Sequence, residues 1–109
     1  MLASNIPVIK AYPDNSTQSF GTCYKLWYWK VYSTVYVFFD IDKTDTGIIK
    51  YTPIKGYRPY DTATWLTVHG GTNNGVTVVV RLGQTGRDVY IVPSKNAHII
   101  GNFSYSAFD

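Results

Sequence analysis

The stretch from Thr22 to Asp42 limits the fold more than any other part of the chain. It contains two runs, "TCYKLWYWKV" and "TVYVFFDID", which are separated only by Tyr32 and Ser33. Both runs are rich in β-branched and aromatic residues, which fit the pleated, half-buried surface of a strand. Two such runs joined by two residues predict an antiparallel hairpin with a tight turn. Helix formers are scarce throughout the chain, since Glu is absent and Leu occurs only four times.

Further short runs of the same character follow at regular spacing. They are "IIKYTPI" (48–54), "WLTVH" (65–69), "VTVVVRL" (76–82), "VYIVP" (89–93) and "IIGNFSYSAF" (99–108), and turn sequences such as "KTDTG", "GGTNNG" and "GQTGRD" separate them. This pattern predicts an all-β single domain of about seven or eight short antiparallel strands, built as a β-sandwich or a jelly-roll-like barrel. Residues 1–21 are expected to form an irregular arm or a first strand, and residues 22–109 are expected to form the β domain itself. Gly101 predicts a bulge or a close approach in the last strand.

The first long strand is apolar on both of its faces. Strict alternation places Cys23, Lys25, Trp27, Trp29 and Val31 on one face, and Tyr24, Leu26, Tyr28 and Lys30 on the other. A strand without a polar face is either covered on both sides within the domain or meets another chain. For the two Trp residues, the core or an interface is therefore favoured over contact with a ligand.

Several classes of protein are excluded or disfavoured. The single Cys23 leaves no internal disulfide and no cysteine-based zinc framework. Residues 1–20 lack the basic start and the apolar stretch of a signal peptide, and no run is long enough for a membrane-spanning helix, so no membrane insertion is expected. The net charge of +3 comes from scattered Lys and Arg without a basic run, so no nucleic-acid partner is expected.

The chain also lacks an arrangement typical of catalysis or of metal binding. Asp40 and Asp42 share a strand face, but a solvated strand end explains this pair better than a catalytic pair does. "DIDKTDTG" resembles a calcium loop, yet Asp45 stands where the obligatory Gly belongs. His69 and His98 are far apart and have no ligand pattern around them. We therefore expect a protein that is not an enzyme and that has no metal and no cofactor.

Aromatic residues are unusually abundant for a domain of this size. Ten Tyr, five Phe and three Trp exceed what one thin core can cover, so some of the rings must be exposed. Exposed rings beside Asp, Asn, Arg and His suit saccharides, because a ring packs against sugar C–H groups while polar side chains bind hydroxyls. The same rings would also suit a subunit interface. For Trp65, which follows a polar loop, ligand contact and burial are about equally favoured.

At "TPIKGYRP" and "IIGNFSY" the chain resembles a known group of proteins. Residues 48–109 resemble the C-terminal head domains of tail fibres, baseplate proteins and receptor-binding proteins of siphophages that infect Gram-positive bacteria. "YWKVYSTVYVFFDI" and "VRLGQTGRDVYIV" are similar to further hairpins of that family. Ser33 departs from the family pattern, in which Gly is usual at this turn, and Ile54 and Lys55 alter the segment before "GYRP". The resemblance implies a β-sandwich or jelly-roll-like head that forms homotrimers and holds host cell-wall saccharide near a subunit boundary.

These observations together predict a non-catalytic adhesion domain of a phage virion, located at the tail tip or baseplate and acting outside the host cell. Its expected partners are two further copies of the chain, host cell-wall polysaccharide or another surface glycan, and other tail or baseplate proteins. Within "GYRP", Tyr57 and Arg58 are expected to be structural. The expected saccharide contacts are Tyr60, Asp61, Trp65, His69, Asn73, Asn74 and Arg87. The alternative is a structural virion tip or decoration domain that binds no receptor.

Overall fold

The structure is a computed structural model, and it describes residues 6–14, 18–60, 65–68, 75–83 and 88–109. Eight strands lie within these ranges, and all of their pairings are antiparallel. They are β1 (Ile9–Lys10), β2 (Gly21–Val31), β3 (Thr34–Lys43), β4 (Ile49–Tyr51), β5 (Trp65–Thr67), β6 (Val78–Leu82), β7 (Val89–Pro93) and β8 (Ala97–Ser106). Among the described residues, no helix is of the length and apolarity that a membrane crossing requires.

The strands form two four-stranded sheets. Sheet A has the order β1-β2-β3-β8 and contains the three long strands, whereas sheet B has the order β4-β7-β6-β5 and contains only short ones. The two sheets pack on a common core, so the molecule is a small all-β sandwich, as the sequence predicted.

The core lies between the facing sides of the two sheets. Its buried side chains alternate with exposed or half-buried ones along β3 and β8, as the two-residue period of a strand requires. Sheet A contributes Leu26, Tyr28, Val35, Val37, Phe39, Ile41, Ile99, Phe103 and Tyr105, and sheet B contributes Ile49, Tyr51, Val80, Leu82, Val89 and Ile91. No Trp belongs to this buried set. Gly101 pairs with Phe39 in an unbroken register, so the bulge expected at this position is absent.

The β2–β3 hairpin confirms the predicted pairing but changes the predicted faces. Its two-residue turn is Tyr32–Ser33, and Tyr32 has a positive φ of 54°. The register shifts between Cys23 and Lys25, so a β-bulge places an extra residue, Tyr24, in β2. Because of this bulge, Cys23 packs against the core instead of sharing the outer face with Lys25, and the alternation assumed from the sequence was wrong at this point.

The N-terminal arm is attached to the sandwich at two places. Its short strand β1 pairs with β2, and Phe20 is buried in the core. The Phe20 carbonyl accepts hydrogen bonds from the main-chain N–H groups of Thr44 and Asp45. At Gly21, φ is +133°, and a Cβ there would collide with the carbonyl oxygen of Asp42. Only glycine fits the position at which the arm enters β2.

The "GYRP" segment is held by contacts within the domain. Arg58 donates through Nε and Nη2 to both carboxylate oxygens of Asp109, at 2.8 and 3.2 Å. The Tyr57 ring lies under the ammonium of Lys30, which also donates to the Gly56 carbonyl. Gly56 has a φ of +99°, which accounts for glycine at the bend. Tyr57 and Arg58 thus have the structural role that was expected from the sequence.

Three tyrosines, named here the buried tyrosine cluster, lie between the sheets: Tyr28, Tyr51 and Tyr105. Tyr28 accepts a hydrogen bond from the Ile54 N–H at 3.0 Å, and Tyr105 donates to the Tyr57 carbonyl at 2.7 Å. The Tyr51 hydroxyl is fully buried and makes no hydrogen bond of acceptable geometry with any described residue. Burial raises the pKa of all three phenols, and that of Tyr51 most clearly.

Candidate functional site

The outer face of sheet A carries two rows of side chains that cross three strands. The register places Trp27 of β2 beside Phe38 of β3, and Phe38 beside Asn102 of β8. Two residues further along each strand, the second row consists of Trp29, Tyr36 and Ser104. Each row therefore runs from an indole through a second aromatic ring to a small polar side chain.

The difference in side-chain height across these rows forms a depression, named here the aromatic groove. It has a volume of about 690 Å³ and is lined on its outer face by the six residues of the two rows. The Trp29 and Tyr36 rings are nearly parallel, at 18°, with centroids 6.2 Å apart. Tyr36 is 40% exposed, and Trp27, Trp29 and Phe38 are half-buried. The groove is large enough for one or two sugar rings.

The end of the groove near Trp27 is cationic. The ammonium groups of Lys10 and Lys25 lie 4.9 and 5.1 Å from the centroid of the Trp27 ring. Lys10 reaches this position from β1 because it pairs with Trp27, whereas Lys25 precedes Trp27 by two residues on the same face of β2. Cation–π attraction holds both ammonium groups near the ring.

Asp40 and His98 lie beside this cationic end. Oδ1 of Asp40 is 2.6 Å from Nε2 of His98, and the His98 ring packs against Tyr24 at a centroid distance of 5.6 Å. Asp40 is therefore engaged with an imidazole, which the sequence did not predict, rather than being a free carboxylate at a strand end. Within the described part of the chain, no three His, Cys, Asp or Glu side chains come together as metal ligands would.

Cys23 lies behind this face and not in the groove. Burial, with a smaller effect of the Asp40 carboxylate, raises the pKa of its thiol to about 11. A thiol with this pKa stays protonated at neutral pH, so it is a poor nucleophile.

Of the saccharide contacts predicted from the sequence, the structure describes two. Tyr60 is 51% exposed, and its ring meets Phe108 edge-on at 4.8 Å. Trp65 is 54% exposed and belongs to β5, where the guanidinium of Arg81 lies 5.4 Å from its centroid. The structure does not bring the two rings into contact with each other. The other predicted contacts lie outside the described residues: Asp61, His69, Asn73, Asn74 and Arg87.

Trp65 ends a second row of cationic and aromatic side chains, which crosses the outer face of sheet B. The register runs from Lys50 of β4 to Tyr90 of β7, then to Arg81 of β6 and Trp65 of β5. Here Lys50 lies 3.9 Å from a carboxylate oxygen of Asp88. This surface differs from the groove in composition, because charged and aromatic side chains alternate along it.

The sequence analysis did not predict the groove, although it discussed Trp27 and Trp29, which line it. Trp27 and Trp29 were expected in the core or at an interface; the structure excludes the core, because both lie on the outer face of sheet A. The alternation "YKLWYWKV" places both indoles on one face, but it does not show which face is covered. No protein-family model, curated protein sequence or solved structure matches the chain.

Proposed function

We propose that this protein is a non-catalytic adhesion domain that binds a saccharide in the aromatic groove. The observation that carries the proposal is the arrangement of the groove, in which parallel aromatic rings lie beside small polar side chains on three adjacent strands. Rings of this kind pack against the C–H faces of sugars. The amide of Asn102 and the hydroxyl of Ser104 both donate and accept hydrogen bonds, which matches the hydroxyls of a sugar ring.

The resemblance at "GYRP" and "IIGNFSY" supports a more specific proposal. In it, the domain is part of a phage tail tip or baseplate, forms a homotrimer, and recognises polysaccharide on the surface of a Gram-positive host. A single open site gives weak binding, and three copies that engage one polymer raise the effective affinity without any new contact. Ile48 directly precedes β4 and is 58% exposed, and Val92 lies in β7 and is 39% exposed. Both provide apolar surface on which sister chains can pack.

The test is binding of the protein to purified wall polysaccharides from a panel of Gram-positive bacteria, measured with matched tryptophan variants. Trp29→Ala removes a ring from the groove, and Trp65→Ala removes a more exposed ring from sheet B. We expect Trp29→Ala to abolish measurable binding and Trp65→Ala to retain it. Asn102→Ala is a milder groove variant, with an expected loss of about fivefold to tenfold for one hydrogen-bonding group.

Light scattering and circular dichroism on the same samples show whether each variant keeps the oligomeric state and the fold. Binding lost with Trp65→Ala but not with Trp29→Ala would transfer the site to the loop surface that the sequence first indicated. Absence of binding to every polysaccharide would refute saccharide recognition, and a monomer in solution would refute the trimer.

The second candidate function is a structural tip or decoration domain of the virion that binds no receptor. The predominance of aromatic side chains in the groove favours it, because subunit interfaces are enriched in Trp, Tyr and Phe. Under this alternative, Trp29→Ala weakens assembly with another virion protein, and all polysaccharides fail to bind.

A further inference from the structure

Two lysines at one end of the aromatic groove have no anionic partner among the residues that the structure describes. No carboxylate of a described residue lies within 4.0 Å of the ammonium of Lys10 or Lys25. The acid opposite Lys25 in the register is Asp40, and its Oδ1 instead contacts His98. Within the described ranges, both ammonium groups lie near the Trp27 ring and not near a carboxylate.

Two like charges on one ring repel each other, and the cation–π attraction offsets this repulsion only in part. An anionic group at this end of the groove would be attracted by both ammonium groups, each of which carries three N–H donors. This part of the outer face thus has the charge complementary to an anionic group. The formal net charge of +3 acts in the same direction, because it favours the approach of an anionic polymer.

The lysines have a defined position relative to the sugar-binding rings. Trp29 follows Trp27 by two residues on the same face of β2, which corresponds to roughly 7 Å along the strand. This separation is comparable to the length of one sugar ring. If a sugar ring packs on Trp29 and Tyr36, its substituent, or the next linkage of the polymer, lies at Trp27 and the two lysines.

From this geometry we infer that the groove binds a saccharide that carries an anionic substituent, with the anion at the end of the groove that carries Lys10 and Lys25. The inference rests on the proposed saccharide-binding function and adds the charge and the orientation of the ligand. Phosphate diesters and carboxylates share the required chemistry.

The experiment uses the wall polysaccharides that bind the unmodified protein. Each is tested in three forms, from which fractions of matched length are isolated after treatment: native, treated with hydrofluoric acid to cleave phosphodiesters, and chemically reduced at its carboxyl groups. The protein variants are Lys10→Gln/Lys25→Gln, which removes both charges, and Lys10→Arg/Lys25→Arg, which keeps them. Lys55→Gln is the control, because Lys55 is exposed in the turn after β4 and its loss changes the net charge without touching the groove.

We expect the Gln double variant to bind native polysaccharide about tenfold more weakly, which is the effect of losing charge-assisted hydrogen bonds at an exposed site. The Arg double variant and Lys55→Gln should bind within about twofold of the unmodified protein. One of the two chemical treatments should produce a loss similar to that of the Gln double variant, and it identifies the source of the charge. Raising the ionic strength should weaken the binding of native polymer to the unmodified protein.

Two outcomes separate this inference from the proposed function. Equal binding of native and treated polysaccharide, together with an unaffected Gln double variant, overturns the anionic subsite and leaves saccharide recognition standing. A loss with Lys55→Gln as large as that with the Gln double variant also overturns it, because the effect would then come from net charge. If no polysaccharide binds the unmodified protein, the proposed function itself fails.

Discussion

Two chemically identical substitutions in the buried tyrosine cluster should have clearly different effects on stability. Tyr105→Phe removes the hydroxyl that donates to the Tyr57 carbonyl at 2.7 Å, and with it the tie between β8 and the "GYRP" segment. Tyr51→Phe removes a fully buried hydroxyl that makes no hydrogen bond of acceptable geometry with a described residue, although the Tyr105 hydroxyl lies close enough to influence its pKa. Both changes delete one oxygen and keep the ring, so packing is nearly the same in each case.

The magnitudes follow from the two environments. Loss of a buried hydrogen bond that leaves its acceptor unsatisfied costs about 2 kcal/mol, which is the expected decrease in the free energy of unfolding for Tyr105→Phe. Tyr51→Phe removes a buried polar group whose desolvation is not offset by a well-formed hydrogen bond. The substitution should therefore be neutral or increase the free energy of unfolding by about 1 kcal/mol. The two variants should therefore differ by about 2–3 kcal/mol, or by roughly 10 °C in Tm for a domain of this size.

Urea unfolding followed by tryptophan fluorescence measures both values, and the m-values should stay equal to that of the unmodified protein. The double variant shows whether the two hydroxyls, which influence each other's pKa, act independently. A loss of more than about 1 kcal/mol for Tyr51→Phe would refute the reasoning, because it would mean that the Tyr51 hydroxyl is hydrogen-bonded in solution.

Three further predictions concern stability and reactivity. Because the folded-state pKa values of the buried tyrosine cluster and of the Cys23 thiol lie above those of the free groups, stability should be constant below about pH 8 and fall as the pH rises further, by at most about 1.4 kcal/mol per unit for each group; urea midpoints at pH 7–11 check this. Gly21→Ala should destabilise by about 2 kcal/mol or more in urea unfolding, since the position combines a positive φ with a collision against Asp42; an unchanged midpoint would contradict the strain. Tyr32→Gly should stabilise by about 0.5–1 kcal/mol in the same assay, because Tyr32 has a φ of 54° and is almost fully exposed; a lower midpoint would contradict this.

The fold could be predicted to a large extent because local chemistry and tertiary structure agree along the long strands. The hairpin of Thr22–Asp42 needs only β-forming residues and a two-residue turn, and both are visible in the sequence. The bulge at Tyr24 was not predictable from alternation, since it is defined by the partner strand and not by β2 alone. This one extra residue moved Cys23 from the expected face to the other.

The candidate site could be predicted only as a general feature. The number of rings indicated that some must be exposed, and Trp65 is indeed exposed. Which face of β2 remains uncovered depends on the second sheet, and the second sheet packs on Leu26 and Tyr28 rather than on the indoles. A strand with apolar residues on both faces does not carry that information, so the groove at Trp27 and Trp29 emerged only from the three-dimensional arrangement.

The long strands of sheet A determine how the domain would respond to a force applied through the aromatic groove. β3 pairs with β2 and β8 along nearly its whole length, and the aromatic groove lies across the same three strands. A tether that pulls on a ligand along the strand direction loads these ladders in shear, so many hydrogen bonds share the force at once and do not open one by one. The short strands of sheet B lie outside these ladders and would carry less of the load.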